Sequence, residues 1–187
     1  YELWTIVAQI RKYHRLHPEA AFSFQLGSNR SLLAALSEGR LDMAVLSGFG
    51  VVLDAELDSR VTRADPCMVM ISAEHPLAAK AEIHPRELKG MPIVLNRAQD
   101  SRPSAAQIAG MYAAMGLGGN PRMYADDFYS IALIIHAGLA FSIMPASVAD
   151  WGISGVVFRP LHGFRAKART LLVYPRGRQE LGVSSFV

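Results

Sequence analysis

One cysteine, Cys67, stands in 187 residues. A lone thiol makes no intrachain disulfide, no CxxC redox pair and no multi-thiolate metal site, and a reducing cytoplasm is the expected compartment. No run of eighteen apolar residues occurs, so no membrane span is expected. Lysine is scarce, four against fifteen arginines, and the net charge is only +3. The densest basic stretch, Arg159, Arg165, Lys167, Arg169, Arg176 and Arg178, lacks the interleaved aromatics of a base-stacking surface and reads as a solvated face. Gly-x-Ser-x-Gly, Walker and Gly-x-Gly-x-x-Gly motifs are absent; "GLGGNP" and "GFGVVL" miss the spacing. His14 and His17, the one close histidine pair, fall at a helix C-terminus, where the dipole favours cations without any metal. His75 and His84 sit beside prolines and His136 ends a helix, which suits surface or capping roles. No catalytic constellation, metal ligand set or cofactor motif is read, and an enzyme is not expected.

What is present is a globular composition, 51% apolar and 19% charged. Leu3, Ile6, Val7, Ile10 and Tyr13 recur at helical spacing, and Pro18 ends that helix near His17. Trp4 and Ala8 lie on a second face, which predicts packing between layers or against a second chain. "AAFSFQL" alternates like a half-wet strand. Ser28 or Asn29 then caps a helix through Leu36, Gly39 stops it, and "MAVLS" is apolar enough for a strand covered on both faces.

The alternation continues through strands "PCMVMIS" and "MPIVLN", separated by a short "HPREL" helix with Pro85 in its first turn. Next come a helix over "SAAQIAGMYAAMG", a turn at "GLGGNP" and a strand "PRMYA". The helix "DDFYSIALIIHAG", capped by Asp126 or Asp127, leads to a buried strand "AFSIMP". A short helix through Trp151 and strands "GVVFRPL" and "RTLLVYP" complete the pattern. Such alternation predicts an α/β fold of parallel sheets flanked by helices, with ligand-facing loops at the carboxyl ends of the strands. The polar segment "SRVTRADP" reads as a crossing between two subdomains.

The order of these pieces resembles the effector-binding domain of LysR-type transcriptional regulators. The residues that carry the resemblance are "HRLHPEAAFSFQLGSNRSLLAALSEGRLDMAVL", the His-Pro-Leu of "EHPLA", "EIHPRELKGMPIV" and "ALIIHAGLAFSIMPASV". The last is similar to the family's Val-Ala-Ala-Gly-x-Gly-x-x-x-x-Pro, with His136 in place of its first alanine and Ala140 in place of its second glycine. Each motif alone is weak, and their order and spacing together are specific.

The resemblance implies a two-lobed fold like that of periplasmic binding proteins, each lobe a mostly parallel sheet flanked by helices. Residues 1–66 and 161–187 are then lobe I, its N-terminal strand and C-terminal helix incomplete, and residues 67–160 are lobe II. It also implies a winged helix-turn-helix DNA-binding domain upstream of Tyr1, which would be the sole route to DNA, and a homodimer that becomes a tetramer in the full-length protein. The implied function is allosteric sensing of a small-molecule effector in an inter-lobe cleft to control transcription; the alternative is a transport-type solute-binding protein of the same fold. "RPSAAQIAGMYAAMG" and "FSIMPASV" further look like the branch that answers to aromatic-pathway intermediates. The cleft is expected to be walled by Gly27, Ser28, Asn29 and Arg30 on one lobe and by Asn96, Arg97, Arg102 and Pro103 on the other. Phe128, Phe141 and Ser142 are expected to close its sides. Arg97 or Arg102 would receive an aromatic or aliphatic carboxylate through a two-pronged hydrogen bond, at a sheet edge where ligands dock.

Overall fold

Two helices sit on opposite faces of one pair of strands, and that arrangement explains why the strands are apolar on both sides. In the computed structural model, which describes residues 6–97 and 102–177 without the side chains of Arg102 and Pro103, helix α1 spans Val7–Leu16 and α2 spans Asn29–Ser37. Strand β1, Ala44–Ser47, pairs antiparallel with β7, Lys167–Pro175, placing Ala44 opposite Val173 and Val45 opposite Leu172. Val45, Leu172 and Tyr174 pack with Ile6, Ile10 and Tyr13 on the α1 side. Ala44, Leu46 and Val173 pack with Leu32 and Leu36 on the α2 side. Alternate residues of a strand point to opposite faces, so a strand covered on both has no polar position to offer.

The ends of α2 follow from its sequence. Ser28 caps it, its hydroxyl oxygen accepting the Ser31 N–H. At the other end Gly39 takes a left-handed φ of 71°. That turn lets the Gly39 N–H donate to the Leu36 carbonyl and the Arg40 N–H to the Ala35 carbonyl, satisfying helix acceptors that would otherwise be orphaned.

The chain divides into two compact units, Tyr1–Ala64 with Arg169–Val187, and Asp65–Ala168. The boundary falls inside the polar segment, which together with the apolar run after it forms one continuous strand, β2, Leu57–Ser72, instead of a linker followed by a separate strand. After buried Leu57 it runs through exposed Arg60 and Val61 to fully buried Val69, Met70 and Ile71.

In the second unit β3, Ile93–Asn96, pairs in parallel with β4, Arg122–Ala125. Helix α3, Arg102–Ala114, lies between them in sequence, and α4, Phe128–His136, follows β4. Strands β5, Ser142–Pro145, and β6, Val156–Pro160, pair antiparallel with β2. Short 3₁₀ helices form at Pro76–Ala79, Pro85–Leu88 and Ala146–Trp151.

The α/β class is as expected, but strand direction is mixed rather than mostly parallel. Only crossover connections make neighbours parallel, whereas β2 is long enough for β5 and β6 to return along it in the opposite sense. A second correction concerns the expected strand over residues 20–26, which form none. A strand needs a neighbour for its N–H and C=O groups, and none pairs with this stretch among the described residues. Its alternation instead puts Phe22 and Phe24 side by side, ring centroids 6.3 Å apart, with Phe22 edge-on to Tyr13 at 6.0 Å.

His136, the departure from the family motif, has its own accommodation. Its ring lies where a Cβ on Gly155 would stand 2.1 Å away, and Gly155 also has φ 77°, so residue 155 has to be glycine on two counts. His136 Nδ1 lies 3.2 Å from the Ser154 carbonyl oxygen.

The second unit also depends on a buried amide. Asn120 donates from Nδ2 to the Leu88 and Met91 carbonyls at 2.7 and 2.9 Å, and its Oδ1 accepts the Gly90 N–H at 3.1 Å. This one side chain closes the turn that feeds β3. We predict that Asn120→Ala lowers unfolding free energy by about 3 kcal/mol, because backbone groups are left without partners. Urea unfolding measures it, as a shift in midpoint at unchanged slope. A loss under about 1 kcal/mol would mean that water replaces all three bonds.

Candidate functional site

Each unit carries one edge where strands stop and a helix starts. In the first unit Asn29 fixes that edge: its Nδ2 donates to the carbonyl of Ser47, the last residue of β1, at 2.8 Å. The side chain is therefore a strut holding the start of α2 beside the carboxyl end of β1. Ser28 and Ser31 are bound to one another, since the Ser31 hydroxyl donates to the Ser28 carbonyl at 2.9 Å. Gly27 and Arg30 are exposed, and Ser28 and Asn29 are partly so. A helix start turns N–H groups and the positive end of its dipole outward, an environment that suits an anion.

In the second unit the parallel register of β3 and β4 sets Asn96 opposite Ala125, so both strands end at one edge. The next residue of each faces the other across that edge. Arg97 Nε donates to Asp126 Oδ1 at 2.8 Å, and the guanidinium carbon stands 5.7 Å from the centre of the Tyr124 ring. The two side chains are 60% and 78% exposed, so water screens the pair and it contributes at most about 1 kcal/mol. An anion arriving at Arg97 therefore competes with a weak partner.

Asp127 is the cap of α4. Its carboxylate accepts the Ser130 hydroxyl at 2.7 Å and the Ser130 N–H at 2.9 Å, in that order of effect holding its pKa below the usual carboxylate value. A lowered folded value means that the cap stabilises α4 above the ordinary carboxylate pKa and is lost as pH falls through the folded one. Phe128 begins the helix, edge-on to Trp151 with ring centroids 5.1 Å apart.

Other expected site residues lie elsewhere. Arg102 is the first residue of α3 rather than a loop arginine; its side chain and that of Pro103 fall outside the described residues, as do residues 98–101. Asn96 is half-buried at the end of β3. Phe141 has no exposed surface and Ser142 almost none. Phe141 is held by its backbone, donating to the Pro92 carbonyl and accepting from the Val94 N–H, and it supports β3 from inside. Beside it the Tyr112 hydroxyl accepts the Ile143 N–H at 3.3 Å, and burial pushes the Tyr112 phenol pKa far up. Neither Phe141 nor Ser142 presents a wall to a ligand within this unit.

Sequence reasoning missed Asn120, Tyr112, and the contact between Ser147 and Asp65. The signal for Asn120 was faint: an amide side chain just before Pro121, inside a turn cluster. Cys67 is buried, which raises its thiol pKa to about 11 and removes it from redox chemistry at neutral pH. Among the described residues no three His, Cys, Asp or Glu side chains are grouped to hold a metal. Nor is any described helix long and apolar enough to cross a membrane.

The model of the LysR substrate binding domain matches residues 3–187. The HTH-type transcriptional regulator YnfL of Escherichia coli K12 is 26% identical over 168 residues, which are 90% of this chain and 56% of that protein. The Hca operon transcriptional activator HcaR of the same organism is 22% identical over 152 residues, 81% of this chain and 51% of its own length. The chain thus spans about half the length of these relatives. Among solved structures, the BenM effector binding domain with its effector benzoate superposes with a TM-score of 0.79 at 18% identity, over 96% of this chain and 81% of that one. The reduced OxyR regulatory domain of Pseudomonas aeruginosa gives 0.77 at 17%, over 100% and 88%. With order, spacing and fold in agreement, the chain belongs to the LysR substrate-binding domain family.

Proposed function

We propose that the chain is the effector-sensing part of a LysR-type transcriptional regulator, and that its effector is a small carboxylate of aromatic or aliphatic type. The observation that carries this is Arg97, an exposed guanidinium at the shared carboxyl edge of two parallel strands, met among the described residues by the exposed Asp126 carboxylate and the Tyr124 ring. Guanidinium binds carboxylate through two parallel hydrogen bonds, which an ammonium does not reproduce. Within its own unit the start of α2 is a second place that suits an anion, since a helix start turns N–H groups and the positive end of its dipole outward.

The curated relatives are transcriptional regulators, which favours sensing over transport and over catalysis. DNA is reached through a domain upstream of Tyr1, in the cytoplasm, and the present chain binds no operator by itself. Its signal is a change in dimer arrangement that a bound effector selects. The dimer is proposed to bury the face beside α1, where Leu16, Phe24 and Leu26 are 61%, 59% and 83% exposed. Apolar side chains of this size so far exposed mark candidate interaction surface. Trp4, expected on the same face, lies outside the described residues.

Thermal shift tests the effector reading. A carboxylate at a hundredfold its dissociation constant stabilises the fold by about 2.7 kcal/mol, a shift of roughly 5–10 °C for a chain of this size. Aromatic and aliphatic carboxylates are compared with their amides and alcohols. The acids alone should shift melting, Arg97→Ala should remove most of the shift, and Asp126→Ala should keep or enlarge it by freeing the guanidinium. Equal shifts by neutral compounds would reject the anion site. The dimer is tested separately by sedimentation: Phe24→Glu with Leu26→Glu should yield monomer, and an unchanged dimer would place the interface elsewhere.

A further inference from the structure

The buried carboxylate of Asp65 has no part in the site just described, yet it occupies a particular place. It is the first residue of the second unit, on the strand that enters from the first, and it is 6% exposed. Ser147 donates its hydroxyl to Asp65 Oδ2 at 2.8 Å. Ser147 belongs to the 3₁₀ helix Ala146–Trp151, whose N-cap, Pro145, pairs with Cys67 two residues beyond Asp65. The far end of that helix is Trp151, the ring on which Phe128 rests. Between Ser147 and Trp151 the short helix is anchored by Val148, which is fully buried.

Helix α4 adds the other half of the arrangement. Its C-terminal end is tied to β2, because the Ser72 hydroxyl donates to the His136 carbonyl at 3.2 Å. Its first turn carries Asp127 and Phe128, next to the Arg97–Asp126 pair. The other end of α4 is the edge at which an effector is proposed to arrive.

We propose that Ser147 and Asp65 form a positioning pair. Through it, movement of the first turn of α4 is passed by way of Phe128, Trp151 and the 3₁₀ helix to β2, where the strand leaves for the first unit. The proposal rests on the effector reading only for what moves α4. The contact route itself is physical and exists without any ligand.

The test therefore uses no effector. Amide hydrogen exchange is followed at Ala64, Asp65 and Cys67 in the whole chain, its Phe128→Leu and Ser147→Ala variants, and the double variant. Phe128→Leu keeps an apolar side chain but removes the ring edge. Each single change should speed exchange at these amides by about twofold or more, and the double should exceed the larger single by little, since contacts in one network are not additive. Trp151→Phe, read at the same amides, is a second perturbation should Phe128→Leu prove unstable. The Ala73 amide, which donates to the Gly155 carbonyl, is the control for general loosening. Multiplying effects, acceleration confined to α4 and residues 146–151, or equal acceleration at Ala73 would each overturn the proposal. Failure of the carboxylate panel alone would leave this result standing, and the reverse also holds.

Discussion

Parallel pairing of β3 with β4 is the constraint on which the candidate site depends. Parallel strands point the same way, so their carboxyl ends share an edge and the residues that follow them meet there. The register sets Asn96 opposite Ala125, and Arg97 and Asp126 come next. Were β4 antiparallel, Asp126 would leave the sheet at the opposite end from Arg97. The same geometry requires a crossover between the strands, supplied by α3, and sends α4 away from the shared edge with its N-terminus there. Cap, cation and helix dipole thus collect at one place as a consequence of a single register.

That edge is assembled from groups of unlike cost. Arg97 and Asp126 are exposed, and water keeps their attraction small. The supports are buried and hydrogen-bonded: Phe141 through its backbone, Tyr112 of α3 through its hydroxyl to the Ile143 N–H of β5, and Asn120 at the turn into β3. Exposed recognition on a buried frame is what a binding edge requires, because a loose frame would lose the geometry that makes a guanidinium selective. Similarity to regulators of this family agrees with the physical reading, and the likeness to the effector-bound neighbour, at 18% identity, is one of fold.

Where this chain departs from its family's motif, the departure is absorbed locally. His136 introduces a ring where the motif has a methyl, and Gly155 alone makes room for it, by leaving out a side chain at a backbone turn that glycine already favours. Ala140, in place of a glycine, is buried without a positive φ, so the added methyl costs no backbone strain. Neither accommodation follows from the motif, because the two partners are separated by nineteen residues or by a change of element.

Most elements were legible from sequence because their causes are local. Proline at 18, the Ser28 and Asp127 caps, and the glycine after α2 act within a turn of themselves, and the structure has each end where these residues put it. The two-sided burial of β1 was likewise written in its unbroken apolar run. Residues 20–26 were misread because alternation records only which side chains prefer water, and a strand also needs a backbone neighbour that no residue within the stretch can supply. Phe141 was misplaced for a related reason: a position near a strand end says nothing about whether another layer covers it. Sequence by itself therefore determined the approximate limits of most helices, their capping to one of two neighbouring residues, the α/β alternation and the family. Only the tertiary structure decided strand direction, the meeting of Arg97 with Asp126, the burial of Asn120 and Asp65, and the reach of Ser147, since each joins residues distant in the chain whose partners no local preference names.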